Sequence, residues 1–566
     1  MKVIAVIEAD LDVTPLGTRS RLGRELGGVT ILRRTVERVR RATLIDAVHV
    51  LCPVAQYEKC AALLNGTGAK LHRLDADPPP WRALVQASRK WSLDGWRGGV
   101  GGATSFDEYV SAPTIAGLLQ ITDADADAVL GVSPAAPFFD PALADRMIEH
   151  HKRTGRDVRL AFTQAPPGIA GILLDASLVR ELVDKNIPIG WLFSYKPDTP
   201  QKDLIFEDCC CEVPVSVRHA SGRLIADTDR AFERIADLFA AEPNPDLETT
   251  GRWLIERDAT HVETVPREVE IELTTDDPYP DALLRPRGAR LGRTGVIDPG
   301  VVERIVECVS RYDDALIVLG GFGDPLRHPR FADVLRAVRG TSASGGDDGR
   351  RSRGAYGLAV RSCGVDLSEA AIDAMIEYRV DVFSLTLDAW SPDLYRELQT
   401  PGAAAIDSPA AASLESVLAK LDLFTDARKR RGRVTPLLVP ELTKALENVQ
   451  ELDDFFDGWI RRTGAVGVHG YNHYARGLVD RSVTPMAPAA RTACRRIKTR
   501  CLVLADGSVT MCDQDYAGAH ILGNVRDQSL AEIWQGADLA RIRAAHESGA
   551  FNATPMCANC EEWHRP

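Results

Sequence analysis

Between Val262 and Arg476 the chain alternates, about six times, between a short apolar run and an amphipathic stretch of helical period. The first run, "EIELT", sets Val269, Ile271 and Leu273 against polar neighbours. "DALIVLGG", "YGLAVRS", "DVFSLTLDA", "VTPLLVP" and "GAVGVHGY" follow, and between them lie "PGVVERIVECVSRY", "RFADVLRAVRG", "SEAAIDAMIEY", "SLESVLAKLDLFTDARKR" and "ENVQELDDFFDGWIRRT". Successive β–α units bury their strands only in a parallel sheet with helices packed on it. The expectation is a partial barrel whose ligands sit at the C-terminal ends of its strands. A polar insertion, "TSASGGDDGRRSRG", interrupts the series and reads as flexible.

A chain of 566 residues is too long for one core. Residues 1–242 form a first block, 243–261 a proline- and acid-rich linker, 262–484 the barrel, and 485–566 a tail. The net charge of −12 excludes a broad basic surface for nucleic acid. The one basic run, Arg428–Arg433, fits the C-terminus of a helix, where cations meet the negative end of the dipole. No apolar run reaches the ~18 residues of a membrane span, and the N-terminal run is too short for a signal peptide. A cytoplasmic protein is expected, with its 12 cysteines reduced or metal-bound.

Those cysteines are unevenly spread. Cys52, Cys60, Cys308 and Cys363 read as buried thiols. Cys209, Cys210 and Cys211 stand at the start of an expected strand, where neighbouring side chains point to opposite faces and do not converge on a metal. Cys494, Cys501, Cys512, Cys557 and Cys560 crowd the tail. "CLVLADGSVTMC" reads as a hairpin turning at Asp506-Gly507, and Cys557-x2-Cys560 is a two-ligand chelate on a tight turn. With Cys494 as fourth ligand, four thiolates are available, a set that suits Zn²⁺ or an iron–sulfur cluster.

The first block reads as strands alternating with helices, hence another parallel α/β sheet: "KVIAVIEA", "DAVHVLCP", "DAVLGVSP" and "DVRLAFT" are its strands. "WSLDGWRGGVGGATSFDEY" reads as a mobile glycine-rich loop without the Lys-Ser/Thr of a phosphate-binding P-loop. "LGTRSRLGREL" after the first strand, and the late "GRLIADTDRAFERI", which looks like a strand, acidic turn and helix, resemble the GT-A-like nucleotidyltransferases that activate sugars with CTP. The resemblance implies nucleotide contacts from Arg19, Ser20 and Arg21, whose guanidinium forks suit phosphate. That family places a metal-binding aspartate in a Gly-Asp-x-Pro turn; here Pro134-Ala135-Ala136-Pro137 puts Ala135 in its place. Asp227 and Asp229 are left as candidate Mg²⁺ ligands, Asp227 also as cap of the following helix.

The barrel block resembles a radical S-adenosylmethionine domain. "LGGFGDPLRHPRF" is similar to its Gly-Gly-Glu-Pro turn, which implies cofactor contacts from Gly321, Gly323 and Asp324. "VRSCG" stands where Thr-Asn-Gly is usual, and "FSLTLDAWSPDLYREL" resembles its Ser-Leu-Asp-Ala strand and helix. The family's Cys-x3-Cys-x2-Cys loop falls on Asp277, Asp281 and Leu284. Carboxylates replace thiolates poorly at an iron–sulfur cluster and leucine cannot ligate at all, so use of S-adenosylmethionine is not expected.

The tail closely resembles a SPASM domain, on Cys494, Asp506-Gly507, Cys512, Asp515, "LGN" at Leu522–Asn524, Trp534, Cys557 and Cys560. The resemblance favours iron–sulfur over zinc and implies one [4Fe-4S] cluster on Cys494, Cys512, Cys557 and Cys560, with Cys501 in the apolar core. The whole order is similar to the spiro-SPASM proteins of spirochaetes: a nucleotidyltransferase-like α/β domain, a cluster-less radical-SAM-like (β/α)6 partial barrel and a short SPASM tail. The resemblance implies an architecture rather than a reaction. Two functions are expected from it. One is a cluster-binding scaffold whose pockets take a nucleotide, a sugar or a modified peptide. The other is a nucleotidyl- or glycosyltransferase working through the first block. Neither calls for nucleic acid or a membrane.

Overall fold

A computed structural model describes residues 1–565 except 75–76, 123–125, 155–157, 200–203, 206, 341–353 and 403–412. The polar insertion from Thr341 thus lies almost wholly outside the described residues. The chain forms two compact units, Met1–Asp258 and Ala259–Pro566.

The first unit is built on β1 (Val3–Glu8), buried at every residue but the last, as a central parallel strand must be. Helix α1 (Ile31–Val39) buries Ile31, Leu32, Thr35, Val36 and Val39, one stripe of a 3.6-residue period. Strands β2 (Ala47–Cys52), β3 (Lys70–Arg73) and β4 (Ala128–Val132) follow, then α2 (Pro141–Thr154), β5 (Leu160–Ala161) and β6 (Ile172–Asp175). The sheet order is β3-β2-β1-β4-β6-β5. β6 runs antiparallel to both neighbours, so the sheet is mixed rather than all-parallel. "DVRLAFT" yields only the two residues of β5.

Two further stretches depart from their expected strands. "DCCCEVP" makes a single bridge, Phe162 to Cys210, and "GRLIAD" is irregular. Helix α3 (Asp229–Ala241) is capped by Thr228, whose Oγ1 accepts the Ala231 N–H; Asp227 is not the cap. The glycine-rich loop is built into the core: Trp96 and Phe106 stack against each other and pack on Phe162 and Phe193. Helix α4 (Leu247–Thr260) occupies most of the expected linker.

The second unit starts with β7 (Glu268–Glu272), α5 (Pro299–Val309), β8 (Leu316–Gly320) and α6 (Phe331–Arg339). It goes on through β9 (Gly357–Ser362), α7 (Glu369–Glu377) and β10 (Val382–Thr386). Then come α8 (Leu414–Arg430), β11 (Leu437–Lys444), α9 (Leu452–Thr463) and β12 (Gly467–Gly470). Strands β7 to β12 lie side by side in chain order, all parallel, as the alternating pattern requires. Caps mark the helix starts: Asp298 with Pro299 at the first position, Ser368 and Ser413. Arg428, Lys429 and Arg430 form the last turn of α8, as the basic run suggested.

The tail does not form a sheet of its own. Strand β13 (Arg500–Val503) pairs in parallel with β7, and β14 (Ser508–Thr510) and β15 (Ile521–Asn524) extend the same nine-stranded sheet antiparallel. Cys501, Val503, Ile533 and Trp534 share one core with Val269, Ile271 and Leu319. Glu272, fully buried, holds Arg293 with both oxygens and accepts the Ala505 N–H at 2.9 Å.

Candidate functional site

The tail gathers its thiols from three places. Cys494 precedes the one-turn helix Arg496–Thr499. Cys512 follows β14, delivered by a turn whose Gly507 has φ +89, with the Asp506 carboxylate accepting the Ser508 N–H at 2.9 Å. Cys557 lies on the short helix Pro555–Ala558 and Cys560 just past it, its N–H bonded to the Cys557 carbonyl at 3.2 Å. All four line one cavity. Cys501 is absent from that lining and is buried on β13.

Burial and backbone amides act against each other on these thiols. Burial raises the Cys494 and Cys512 thiols, and takes Cys557 to about 11 and Cys560 to about 12. Opposing it, the backbone amides of Arg496 and Ile497 serve Cys494, that of Gln514 serves Cys512, and Glu562 N–H reaches Cys560 Sγ at 3.3 Å. Without a metal the thiols keep their protons; binding one must displace them. Asp515 fixes the loop beyond Cys512 by accepting the N–H groups of Ala519 and His520 at 2.8 and 2.7 Å.

Among the described residues, no three His, Cys, Asp or Glu side chains close on a single ion. Four thiolates on one Zn²⁺ at about 2.3 Å must converge on a point. All four thiols line one small cavity, and a four-thiolate set of this kind suits Zn²⁺ or an iron–sulfur cluster.

At the barrel mouth the loop after β7 is occupied by the chain's own charges. Asp277 accepts the Tyr279 N–H at 2.8 Å and pairs with Arg287 at 3.2 Å. Arg287 also reaches the Gly321 carbonyl at 3.1 Å, and Arg285 pairs with Asp388 at 2.7 Å. Asp281 is exposed and Leu284 buried. Asp324, 2% exposed, is saturated by Ser362 Oγ, the Leu326 and Cys363 N–H groups and the Cys363 thiol. Gly321 takes φ +79 against Glu272, and Gly323 lies against the Thr274 carbonyl.

In the first unit, a cavity of about 240 Å³ opens at the ends of β1 and β4, lined by Glu8, Ser20, Arg21, Ser133, Ala135 and Asp227, among others. Arg19 is exposed and outside that lining. Every arginine in the lining is paired: Arg21 with Asp229 at 2.7 Å, Arg82 with Glu8 at 3.5 Å, and Arg223 with Glu108 and Asp227. Asp227 is therefore engaged by Arg223, and Asp229 by Arg21. Burial pushes Asp227 upward against the pull of Arg223. This network, with Arg89 on Glu108 at 2.6 Å, escaped the sequence reading, because its members lie far apart and only the fold assembles them.

Comparison with known proteins places the tail in a class: residues 494–561 match the SPASM model, an iron–sulfur cluster-binding domain. An uncharacterized protein of Treponema pallidum (strain Nichols) is 26% identical over 357 residues, 62% of this chain and 92% of that one. Among solved structures, BtrN in complex with AdoMet and 2-DOIA covers 52% of this chain and 93% of its own, at 16% identity and TM-score 0.33. A cytidylyltransferase from Leptospira borgpetersenii covers 45% of this chain and 93% of its own, at 17% identity and TM-score 0.31. SuiB of Streptococcus suis, bound to precursor peptide SuiA, covers 68% of this chain and 85% of its own, at 11% identity and TM-score 0.37. An α/β unit followed by a β/α barrel with a SPASM tail is the order of parts expected from the sequence. Among the described residues, no helix is long and apolar enough to cross a membrane.

Proposed function

We propose that the chain is an iron–sulfur protein whose single [4Fe-4S] cluster is held by Cys494, Cys512, Cys557 and Cys560, on a barrel that does not cleave S-adenosylmethionine. The observation that carries the reading is the lining of one cavity by these four cysteines, with backbone N–H groups aimed at three of the sulfurs. Such a cluster supplies one-electron redox chemistry and a fold-holding cross-link. The barrel half of the reading is supported by the absence of thiols at Asp277, Asp281 and Leu284, and by the engagement of Asp277 and Asp324 within the chain. The partner of such a scaffold is a small molecule, a nucleotide or a sugar, or a modified peptide.

The test is anaerobic purification followed by iron, sulfide and zinc analysis of the wild type and the five tail Cys→Ala variants. Cys494→Ala, Cys512→Ala, Cys557→Ala and Cys560→Ala should lose iron and sulfide, while Cys501→Ala should keep them. Equal loss in Cys501→Ala, or a wild type with one zinc and no sulfide, sinks the assignment. With dithionite and S-adenosylmethionine, no protein-dependent 5′-deoxyadenosine should form.

A second reading rests on the cavity at the ends of β1 and β4, where open α/β sheets bind ligands. It makes the first unit a nucleotidyl- or glycosyltransferase for an activated sugar. Ala135 and the pairing of Asp227 with Arg223 leave Mg²⁺ poorly held, so pyrophosphate release from CTP should stay at background. Robust turnover with any sugar acid would restore this reading to first place.

A further inference from the structure

Gln514 and His546, in the cysteine cavity, carry buried polar atoms with no partner among the described residues. Gln514, two positions beyond Cys512, is 4% exposed, yet neither Oε1 nor Nε2 meets a hydrogen-bond partner. His546, on the helix Ala537–Glu547, is also 4% exposed. Its Nδ1 accepts the Cys494 N–H at 3.3 Å, which puts the ring proton on Nε2, and that N–H is unpartnered too. Both residues line the cavity with Cys494, Cys512, Cys557 and Cys560.

A buried donor left without an acceptor costs about 1–3 kcal/mol, and native proteins keep such groups few. The cavity wall supplies Gln514 and His546 with no acceptor, so its occupant has to. With a zinc ion only the Cys557 thiolate is left without a backbone N–H, one such acceptor for two donors. A [4Fe-4S] core carries inorganic sulfides at its corners, each able to accept an N–H.

We propose that Gln514 and His546 donate N–H···S hydrogen bonds from their Nε2 atoms to the sulfides of the cluster, and so raise its reduction potential. The inference rests on the reading that the four cysteines hold an iron–sulfur cluster. The reduced cluster carries one more negative charge, so a fixed donor stabilises it more than the oxidised form; hydrogen bonds to sulfur are a recognised lever on cluster potentials. Both residues act on the cluster rather than on a substrate.

The test uses the full chain, purified anaerobically, with Gln514→Met (similar length, no donor) and His546→Phe. Iron and sulfide are assayed, and the midpoint potential is read by EPR during one-electron titration with dithionite. Each variant should retain its cluster and lose about tenfold in the reduction equilibrium constant, a negative shift of 59 mV for one electron. Gln514→Glu, which keeps the shape and adds a negative charge, should shift at least as far. Unchanged potentials in cluster-loaded variants would overturn the proposal. Should a variant lose its cluster, ENDOR of the reduced wild type labelled with ¹⁵N in glutamine side-chain amides and histidine rings decides: coupling of those nitrogens to the cluster supports the proposal, and its absence overturns it. A wild type with zinc and no sulfide would remove the underlying cluster reading itself, an outcome distinct from either.

Discussion

His49 is a residue whose charge state is set by its burial in the first unit. It lies on β2, 3% exposed, with Nδ1 3.0 Å from His72 Nε2 on β3 and the two rings stacked at 5.1 Å. Burial, then the neighbouring His72 and Lys70, holds its pKa down to about 4. An unfolded His49 titrates near 6.5, so between those values the unfolded chain binds a proton that the folded chain refuses. Its contribution is therefore fully present above pH ~6.5 and is lost as pH falls toward 4, at most about 3 kcal/mol. His49→Phe keeps the stacking and removes the titration. Urea unfolding at pH 7 and pH 4.5 should show a clearly smaller acid loss in His49→Phe; equal losses would show that His49 is not the cause. "DAVHVLCP" reads plainly as a strand, yet nothing in it says that His49 meets His72. That pairing comes from the register of β2 on β3, in which Leu51 faces His72 and His49 faces Lys70. Gln514 and His546 were hidden for the same reason, being ordinary polar residues until a fold seals them into a cavity with thiols.

Among the elements, the turn after β8 is the least tolerant of change. A Cβ on Gly323 would stand 2.1 Å from the Thr274 carbonyl and 2.8 Å from that of Asp276. Both neighbours are backbone at the end of β7, tied by the Asp324 N–H to the Asp276 carbonyl at 2.8 Å, so neither can move aside cheaply. Gly323→Ala should cost more than about 3 kcal/mol, measured as a lowered urea midpoint of the barrel signal. Gly117, on the helix Ala112–Thr122 of the first unit, is the control, read on that unit's own unfolding signal: a Cβ there meets nothing within 4 Å, and Gly117→Ala should be neutral or stabilising by up to about 1 kcal/mol. Similar midpoint shifts in the two variants would refute the close-approach account. The same scale shows what a sequence carries. The barrel's strands and helices were legible because each has a clean period and most helices carry a cap such as Asp298 or Ser413. The strand Ile172–Asp175 is not legible in "GILLD", because four residues fit a strand or a helix start equally well. The run Cys209–Cys211 and the stretch before Asp227 looked extended and became loops, since their burial comes from neighbours distant in the chain. Trp96 and Phe106 were present in the glycine-rich segment; their aromatic partners Phe162 and Phe193 were not adjacent to suggest an anchor.

Within the second unit the barrel and the SPASM tail are one sheet and one core, and this sets how far cluster loss should travel. Strand β13 is held to β7 along Arg500–Val503, and Trp534 Nε1 donates to the Glu263 carbonyl at 2.8 Å. Those contacts use no cysteine ligand. The segments around Cys494, Cys512–His520 and Cys557–Trp563 are short and loop-rich, the kind of segment that a metal cross-link orders. Oxidative removal of the cluster under chelator should therefore raise amide exchange in those three segments by an order of magnitude or more. Strands β13 and β14 should fray less, because β13 retains a full partner on its β7 side. Strands β8 to β11, central in the sheet, should keep their protection. Hydrogen exchange read by mass spectrometry on loaded and stripped protein checks this directly. Uniform deprotection from β7 to β12 would mean that the cluster holds the barrel as well as the tail. No change at Cys557–Trp563 would mean that the terminal chelate is already ordered by packing of Trp563 and Arg491, leaving the metal no part in folding the tail.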